Sequence, residues 1–301
     1  MRNLLLIVLM SIALPAFADH GAIVGGSGAA SLTHSMQVMR TLARYQVGNE
    51  RGHWNAMVLQ GEYAPFEWGA LRASLPTVRI MPDGEGSAVG IGDASFGLRS
   101  TVPPASPNDF RWVLALYGTV PIGSESKRIG SGHYELTPVV EMAVPLPEGF
   151  SIVGLVGSKF SLGGTHEHEE AVPHEHEEMV ILPHDHPSSP SGSSLYSPHS
   201  EKEVEGRVAV AGMLDSGYWE TGVKGGWGFG ETSEMSPLEA DVQGGIYLGK
   251  RTTFLAGMTH TLSGSVRTPW KVNIGLSWNF GERSVREEES PAPGACGCGS
   301  H

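Results

Sequence analysis

The sequence predicts an all-β fold: a transmembrane, antiparallel, up-and-down β-barrel of about twelve strands with one long, polar, His-rich extracellular loop. Three observations predict it. The chain opens on an export signal, and segments alternating apolar with polar residues recur along its length. The last segment, residues 271–280, sets Val272, Ile274, Leu276, Trp278 and Phe280 against Lys271, Asn273, Gly275, Ser277 and Asn279, and closes on an aromatic residue. That is the period of a strand with one apolar and one polar face. In an outer-membrane barrel the first face meets lipid and the second lines the lumen.

Arg2, the apolar run 4–14 and Ala16-Phe17-Ala18 form a charged n-region, an apolar h-region and a small-x-small cleavage site, so residues 1–18 are expected to be removed. That run is too short to cross a bilayer as a helix, and no other stretch approaches the roughly 20 apolar residues required. A membrane location therefore requires a barrel, placed by the signal in the outer membrane of a Gram-negative cell. Composition agrees: 40% hydrophobic residues coexist with a mean hydropathy of only -0.10, as interleaving of apolar and polar residues demands.

The formal charge of -12 becomes -13 when Arg2, the one charged residue of the signal, is lost. This balance argues against nucleic acid as a partner and favours cations. The two cysteines, Cys296 and Cys298, both lie in the last six residues and cannot form a disulfide framework for the fold.

Residues 19–33, rich in Gly, Ala and Ser, read as a flexible leader to a barrel over 34–280. The first strand is expected at 34–47, with Arg40 and Arg44 on one face and Met39, Ala43, Tyr45 and Val47 on the other. The second, 54–64, opposes Gln60 and Glu62 to Met57, Leu59 and Tyr63 and leads through a tight turn at 65–68 to the third, 69–80. A Pro-Asp-Gly-Glu-Gly turn at 82–86 precedes the fourth, 90–102, with Asp93, Ser95 and Arg99 against Ala94, Phe96 and Leu98. The fifth, 110–121, sets Arg111, Ala115, Tyr117 and Thr119 against Trp112, Leu114 and Leu116. The sixth, 133–146, sets Glu135, Thr137 and Glu141 against Leu136, Val140, Met142 and Val144, and a turn at 147–149 joins it to the seventh, 150–162. After an insert over 163–203, five more strands fall at 204–214, 217–229, 238–248, 252–262 and 268–280. An even count returns the chain to its starting side, so short turns after the even strands face the periplasm and the insert faces outside.

Residues 90–99, Gly-Ile-Gly-Asp-Ala-Ser-Phe-Gly-Leu-Arg, followed by Tyr117-Gly118-Thr119-Val120-Pro121-Ile122-Gly123 and Ile129-Gly130-Ser131-Gly132, carry a resemblance. They are similar to the phenol-degradation "MetA pathway" family of outer-membrane transporters, in which a G-x-G-D strand precedes a Pro-Thr-Gly segment and a Gly-Ser/Thr-Gly loop. Ile122 stands here where the family has Thr, and the resemblance is clearest over residues 90–145. It implies a transporter barrel, with a small hydrophobic or aromatic compound as the solute the family name suggests, and no catalytic residues.

The insert carries the densest chemistry. His166-Glu167-His168-Glu169-Glu170 recurs as His174-Glu175-His176-Glu177-Glu178 and, shortened, as His184-Asp185-His186, with His199 further on. In extended backbone, residues i and i+2 project to one side about 7 Å apart, and a bend brings both imidazoles onto one ion. Imidazole with carboxylate suits Zn, Ni or divalent Cu, and the carboxylates can accept the second ring N–H. The alternative is a solvated tether of biased composition. Residues 281–301 read as a flexible periplasmic tail ending Cys296-Gly297-Cys298-Gly299-Ser300-His301. Its two thiolates with His301 can hold Zn or monovalent Cu, or Cys296 and Cys298 form a disulfide in the oxidising periplasm. His20, His34, His53, His133 and His260 read as surface or lumen residues.

The alternation assigns to the lumen the acids Glu62, Asp93, Glu135, Glu141, Glu220, Glu239 and Asp241, and the bases Arg40, Arg44, Arg72, Arg99, Arg111, Lys159, Arg207, Lys224 and Lys271. Near-balanced signs point to paired networks. Twelve strands lie between the eight whose interior side chains fill and the sixteen that leave an aqueous channel, which points to a narrow passage or a nearly filled barrel. No His-x-Ser-Asn-Gly segment of the outer-membrane phospholipases, nucleotide loop or His-Glu-x-x-His helix occurs, which argues against an enzyme. The expected function is a transporter or channel whose surface loop collects divalent transition metal without needing a cofactor to fold. Its partners would be outer-membrane lipid, the barrel-assembly machinery and the metal ions. A closed barrel that binds metal without transport is the alternative.

Overall fold

The computed structural model describes residues 32, 34–47, 50–84, 86–101, 110–162, 202–228, 238–264 and 266–280. The expected signal, nearly all of the expected leader, the His-rich stretch up to residue 201 and the Cys-x-Cys tail lie outside them.

Thirteen strand segments form one antiparallel sheet: β1 Ser35–Val47, β2 Glu50–Phe66, β3 Gly69–Pro82, β4 Ala88–Ile91, β5 Ala94–Thr101, β6 Arg111–Val120, β7 Tyr134–Pro145, β8 Phe150–Leu162, β9 Lys202–Leu214, β10 Gly217–Gly228, β11 Leu238–Tyr247, β12 Thr252–Ser263 and β13 Val266–Asn279. Consecutive strands pair, except that β5 pairs with β3 in place of β4, and β1 pairs with β13 from Ser35 opposite Asn279 to Val47 opposite Val266, which closes the sheet on itself. Segments β4 and β5 are two halves of one pass, both paired to β3. The result is a closed barrel of twelve passes. Closure gives each of the twelve passes a neighbouring pass on both sides, which lipid demands because it offers no hydrogen bonds to an open edge.

The expected fourth strand is therefore interrupted, at Gly92 and Asp93. Gly92 donates its N–H to the Pro76 carbonyl at 2.9 Å, while Asp93 turns to serve a loop described below. Strand β2 is also longer than expected, beginning at Glu50.

Alternation sorts the two faces. Met57, Leu59, Leu71, Phe96, Leu98, Leu114 and Ile274 stand exposed on the outer wall, a surface far too apolar for water and suited to lipid. Trp219 and Phe150 meet edge to face on this wall, and Phe66 stacks on Trp68 at the β2–β3 turn, as in the aromatic girdles of such barrels.

Both ends of the barrel can be told apart. One end, the turn end, has the first residue of β1, the last of β13 and the short connections 67–68, 146–149, 215–216 and 248–251; the other, the loop end, has the connections 121–133 and 163–201. Four of the five connections at the turn end are short, matching the periplasmic side of outer-membrane barrels.

Strand β1 reverses the expected faces. Met39, Ala43 and Tyr45 point inward and are buried, while Arg40 and Arg44 point outward and are exposed. Ala43 and Tyr45 pack with Trp54, Ala56, Val78 and Ile80 on the inner wall of β1–β3. A guanidinium in that cluster would be desolvated among packed apolar side chains.

Candidate functional site

The barrel interior is the candidate site, because the strands carry nearly all their buried charge there. Every carboxylate on a described strand residue points inward: Glu50, Glu62, Glu135, Glu141, Glu203, Glu205, Glu220, Glu239 and Asp241. Facing them are Arg72, Arg99, Arg111, Lys159, Arg207, Lys224 and Lys271. Burial of so many ions is tolerable only through pairing.

Arg99 of β5 is the centre of one network. Its Nη1 donates to Glu62 Oε2 at 2.5 Å and its Nη2 to Glu141 Oε2 at 2.6 Å, and all three side chains are almost fully buried. The Tyr117 hydroxyl reaches Glu141 at 3.4 Å, and Arg72 lies 5.9 Å over the Tyr117 ring while donating to Gln60 at 2.7 Å. The ring lies against Gly97, where a Cβ would stand 2.3 Å from it, so only glycine admits this arrangement.

Across the barrel, Arg207 of β9 bonds Glu220 and grips both oxygens of Asp241, through Nε at 3.1 Å and Nη2 at 2.5 Å. This bidentate fork is the strong form of the pair. Glu239 of β11 is shared by Lys224 at 2.9 Å and Lys271 at 3.5 Å. Lys159 of β8 stands 4.0 Å from both Glu135 and Glu205.

The loop end is narrowed by the connection 121–133, which folds inward. Ile129, 1% exposed, caps the cluster of Ala43, Tyr45, Trp54, Ala56, Val78 and Ile80. Asp93 latches the connection at two places: Oδ1 accepts the Gly123 N–H at 2.9 Å, and Oδ2 accepts the Ser131 N–H at 2.6 Å. Gly123 and Gly130 are consequently in backbone contact, and a Cβ on Gly130 would stand 2.5 Å from the Gly123 carbonyl carbon. Arg128 pairs with Glu50, which also accepts the Tyr45 hydroxyl. His133, at the end of the connection, lies 3.4 Å from Glu135. Its hydrogen bond to Glu135 raises its pKa above the ordinary histidine value, against the opposing effect of burial.

The segments that carry the sequence resemblance thus meet in space: Asp93 of the Gly-x-Gly-Asp motif holds the two glycine segments of the connection. Of the expected lumen residues, Glu62, Arg72, Asp93, Arg99, Arg111, Glu135, Glu141, Lys159, Arg207, Glu220, Lys224, Glu239, Asp241 and Lys271 face inward; Arg40 and Arg44 do not. Glu50, Arg128, Ile129, Glu203 and Glu205 are interior groups the sequence reading missed. For Glu205 the signal was present, since it shares the face of Arg207 two residues on.

His53 and His260 are outward, and the His34 ring meets Tyr63 edge-on at 5.1 Å. His166, His168, His174, His176, His184, His186, His199, Cys296, Cys298 and His301 lie outside the described residues. Among the described residues no group of three or more His, Cys, Asp or Glu side chains is placed to hold a metal ion.

No protein-family model matches the chain, and no curated protein matches it in sequence. The phenol-degradation resemblance therefore has no support from those comparisons. Solved structures do match. The COG4313 outer membrane channel from Pseudomonas putida F1 superposes with a TM-score of 0.61 at 11% identity, over 84% of this chain and 98% of that one. The NanC porin superposes with a TM-score of 0.50 at 8% identity, over 81% of this chain and 100% of that one. Similarity at this level shows the fold, that of the outer-membrane β-barrels.

Proposed function

We propose that this protein is an outer-membrane channel, a narrow polar passage for small solutes with a preference for cations. The observation that carries the reading is the interior itself: paired ions run along the wall, nine strand carboxylates face seven strand bases, and a latched connection narrows one mouth. A passage of this kind selects by the sign and spacing of its lining charges. The resemblance of the fold to a COG4313 channel and to a porin supports it.

Purified protein in planar bilayers tests the reading. Under a potassium chloride gradient, discrete conductance steps with a reversal potential on the cation side are the expected result. A membrane that stays silent under applied voltage, with protein inserted, would eliminate the channel and leave a closed barrel.

A second reading adds to the first: the phased His-x-His copies at 166–168, 174–176 and 184–186 collect Zn, Cu or Ni at the mouth. It rests on sequence alone. If the passage instead serves a small aromatic compound, the apolar cluster under Ile129 is the surface that would receive it once the latch opens.

A further inference from the structure

The charge of the outer wall, unlike that of the paired interior, is all of one sign. No carboxylate on a described strand residue points outward, whereas Arg40, Arg44, Arg51 and Arg79 all do. These four lie on three adjoining strands, β1, β2 and β3. Arg44 stands directly opposite His53 in register, and Arg79 opposite Asn55. Arg40 reaches toward the loop end and donates from Nε to Asn55 Oδ1 at 3.2 Å. Asp83, just past β3, is 3.9 Å from His53.

Height on the wall decides what this patch meets. On β1, Arg44 is eight residues beyond the outward Met36. At about 3.4 Å per residue and a tilt of about 45°, that is roughly 19 Å up an apolar band about 25 Å tall. The long side chain of Arg44 then carries its guanidinium to the loop-end boundary of the band, while Arg40, four residues lower, bonds Asn55 on the wall itself. Trp270, opposite Arg44 on β13, stands at the same level, as a girdle residue does. Guanidiniums on a lipid-facing wall need an anionic headgroup, since arginine in the hydrocarbon itself is costly.

Lower on the same wall, Gly61 and Ala73 are opposed in register and lie in an apolar groove, bordered there by Met36, Tyr63, Leu71 and Phe96, that continues past Leu116 and Leu136 toward β8 with a total volume of about 1340 Å³. It offers an apolar seat to a chain hanging from a headgroup above.

We propose that Arg44, Arg51 and Arg79 form a docking site for the phosphate groups of a phosphorylated glycolipid of the outer leaflet, with an acyl chain along the Gly61–Ala73 groove. Arg44 and Arg79 are its central contacts. Guanidinium forks suit phosphate oxygens, and juxtamembrane basic groups attract anionic lipid.

The test uses the full-length barrel in mild detergent, with bis-phosphorylated hexa-acyl lipid A as probe and native mass spectrometry or thermophoresis as readout. The Arg44→Gln/Arg79→Gln variant should bind roughly tenfold to thirtyfold more weakly. The same lipid stripped of both phosphates should bind the native protein no better than the phosphorylated lipid binds the variant. Lys250→Gln/Arg251→Gln, in a turn at the other end, should bind as the native protein does. Heat-dependent gel mobility establishes that each variant is folded, and should the double variant not fold, Arg44→Gln and Arg79→Gln are compared singly, each with a several-fold loss expected. Unchanged affinity in the folded variants overturns the proposal. So does equal binding of the dephosphorylated lipid, or an equal loss in the Lys250/Arg251 variant.

Discussion

Asp93 accepts the Gly123 N–H at 2.9 Å from across a break in its own strand. The interruption of the fourth pass and the inward fold of the connection 121–133 are thereby one feature: the break frees the carboxylate, and the carboxylate holds the connection down. A second bond, from Ser131, doubles the latch.

Replacing Asp93 by Ala removes both bonds, each worth about 1.5–3 kcal/mol for a charged acceptor. The connection should leave the mouth while the barrel stays closed, because no strand pairing depends on the side chain. Single-channel conductance should rise and fluctuate more, with gel mobility unchanged. Conductance equal to that of the native protein would show that the connection does not limit the passage.

Arg99 makes the opposite prediction, a structural one. Arg99→Met leaves Glu62 and Glu141 buried without their cation, at a cost of about 3–5 kcal/mol. The triple variant with Glu62→Gln and Glu141→Gln should recover most of that loss, because no buried charge then lacks a counter-ion. Urea unfolding in detergent, followed by tryptophan fluorescence, reads both. A triple variant as unstable as the single one would mean that the arginine acts by packing rather than by charge.

How much of this was legible in the sequence depends on how cleanly each strand alternates. Residues 271–280 have apolar residues on one face only, and β13 adopts that face toward lipid. In β1 both faces carry apolar residues, Met36, Val38 and Leu42 on one and Met39, Ala43 and Tyr45 on the other, so alternation alone cannot choose between them. The choice is made by neighbours, since Tyr45 joins Trp54 and Ile80 in a cluster assembled from three strands. The latch was half legible: Asp93 and the glycine segments stood out as motifs, but their meeting spans 30 and 38 residues. Arg128 and Glu50, 78 residues apart, left no local trace at all.

The connection 121–133 should also respond to pH through His133. Its folded pKa is raised by Glu135, so the charged pair stabilises the folded-in state fully below the unfolded value of about 6.5 and is lost as pH rises through the raised value. The open fraction of the channel should therefore increase toward alkaline pH. His133→Asn should abolish that increase while leaving the ordering of Asp93 variants intact. A pH response that survives in His133→Asn would assign it to another group.

Sidedness follows from the parity of the passes. A tag inserted after Ser193 should be labelled on intact cells, and one after Ser290 only after permeabilisation. The reverse result would put the turn end outside and would also move the arginines of β1–β3 to the inner leaflet.

The remaining prediction separates capture of metal from conduction. Metal binds neutral imidazole, so zinc or copper binding by the His-x-His copies should weaken as pH falls through the ordinary histidine value of about 6.5. Replacing His166, His168, His174, His176, His184 and His186 by Ala should abolish most of that binding and leave the barrel folded, since β8 ends at Leu162 and β9 begins at Lys202. If captured metal enters the passage, the same variant should lower zinc flux into liposomes at micromolar metal but not at saturating metal, where capture no longer limits. Potassium conductance should be the same in both proteins, because the interior networks of Arg99 and Arg207 are untouched. Unchanged zinc binding in the six-fold variant removes the metal reading and leaves the channel standing, whereas lost binding with no zinc flux in either protein makes the copies a surface buffer beside a passage for other solutes.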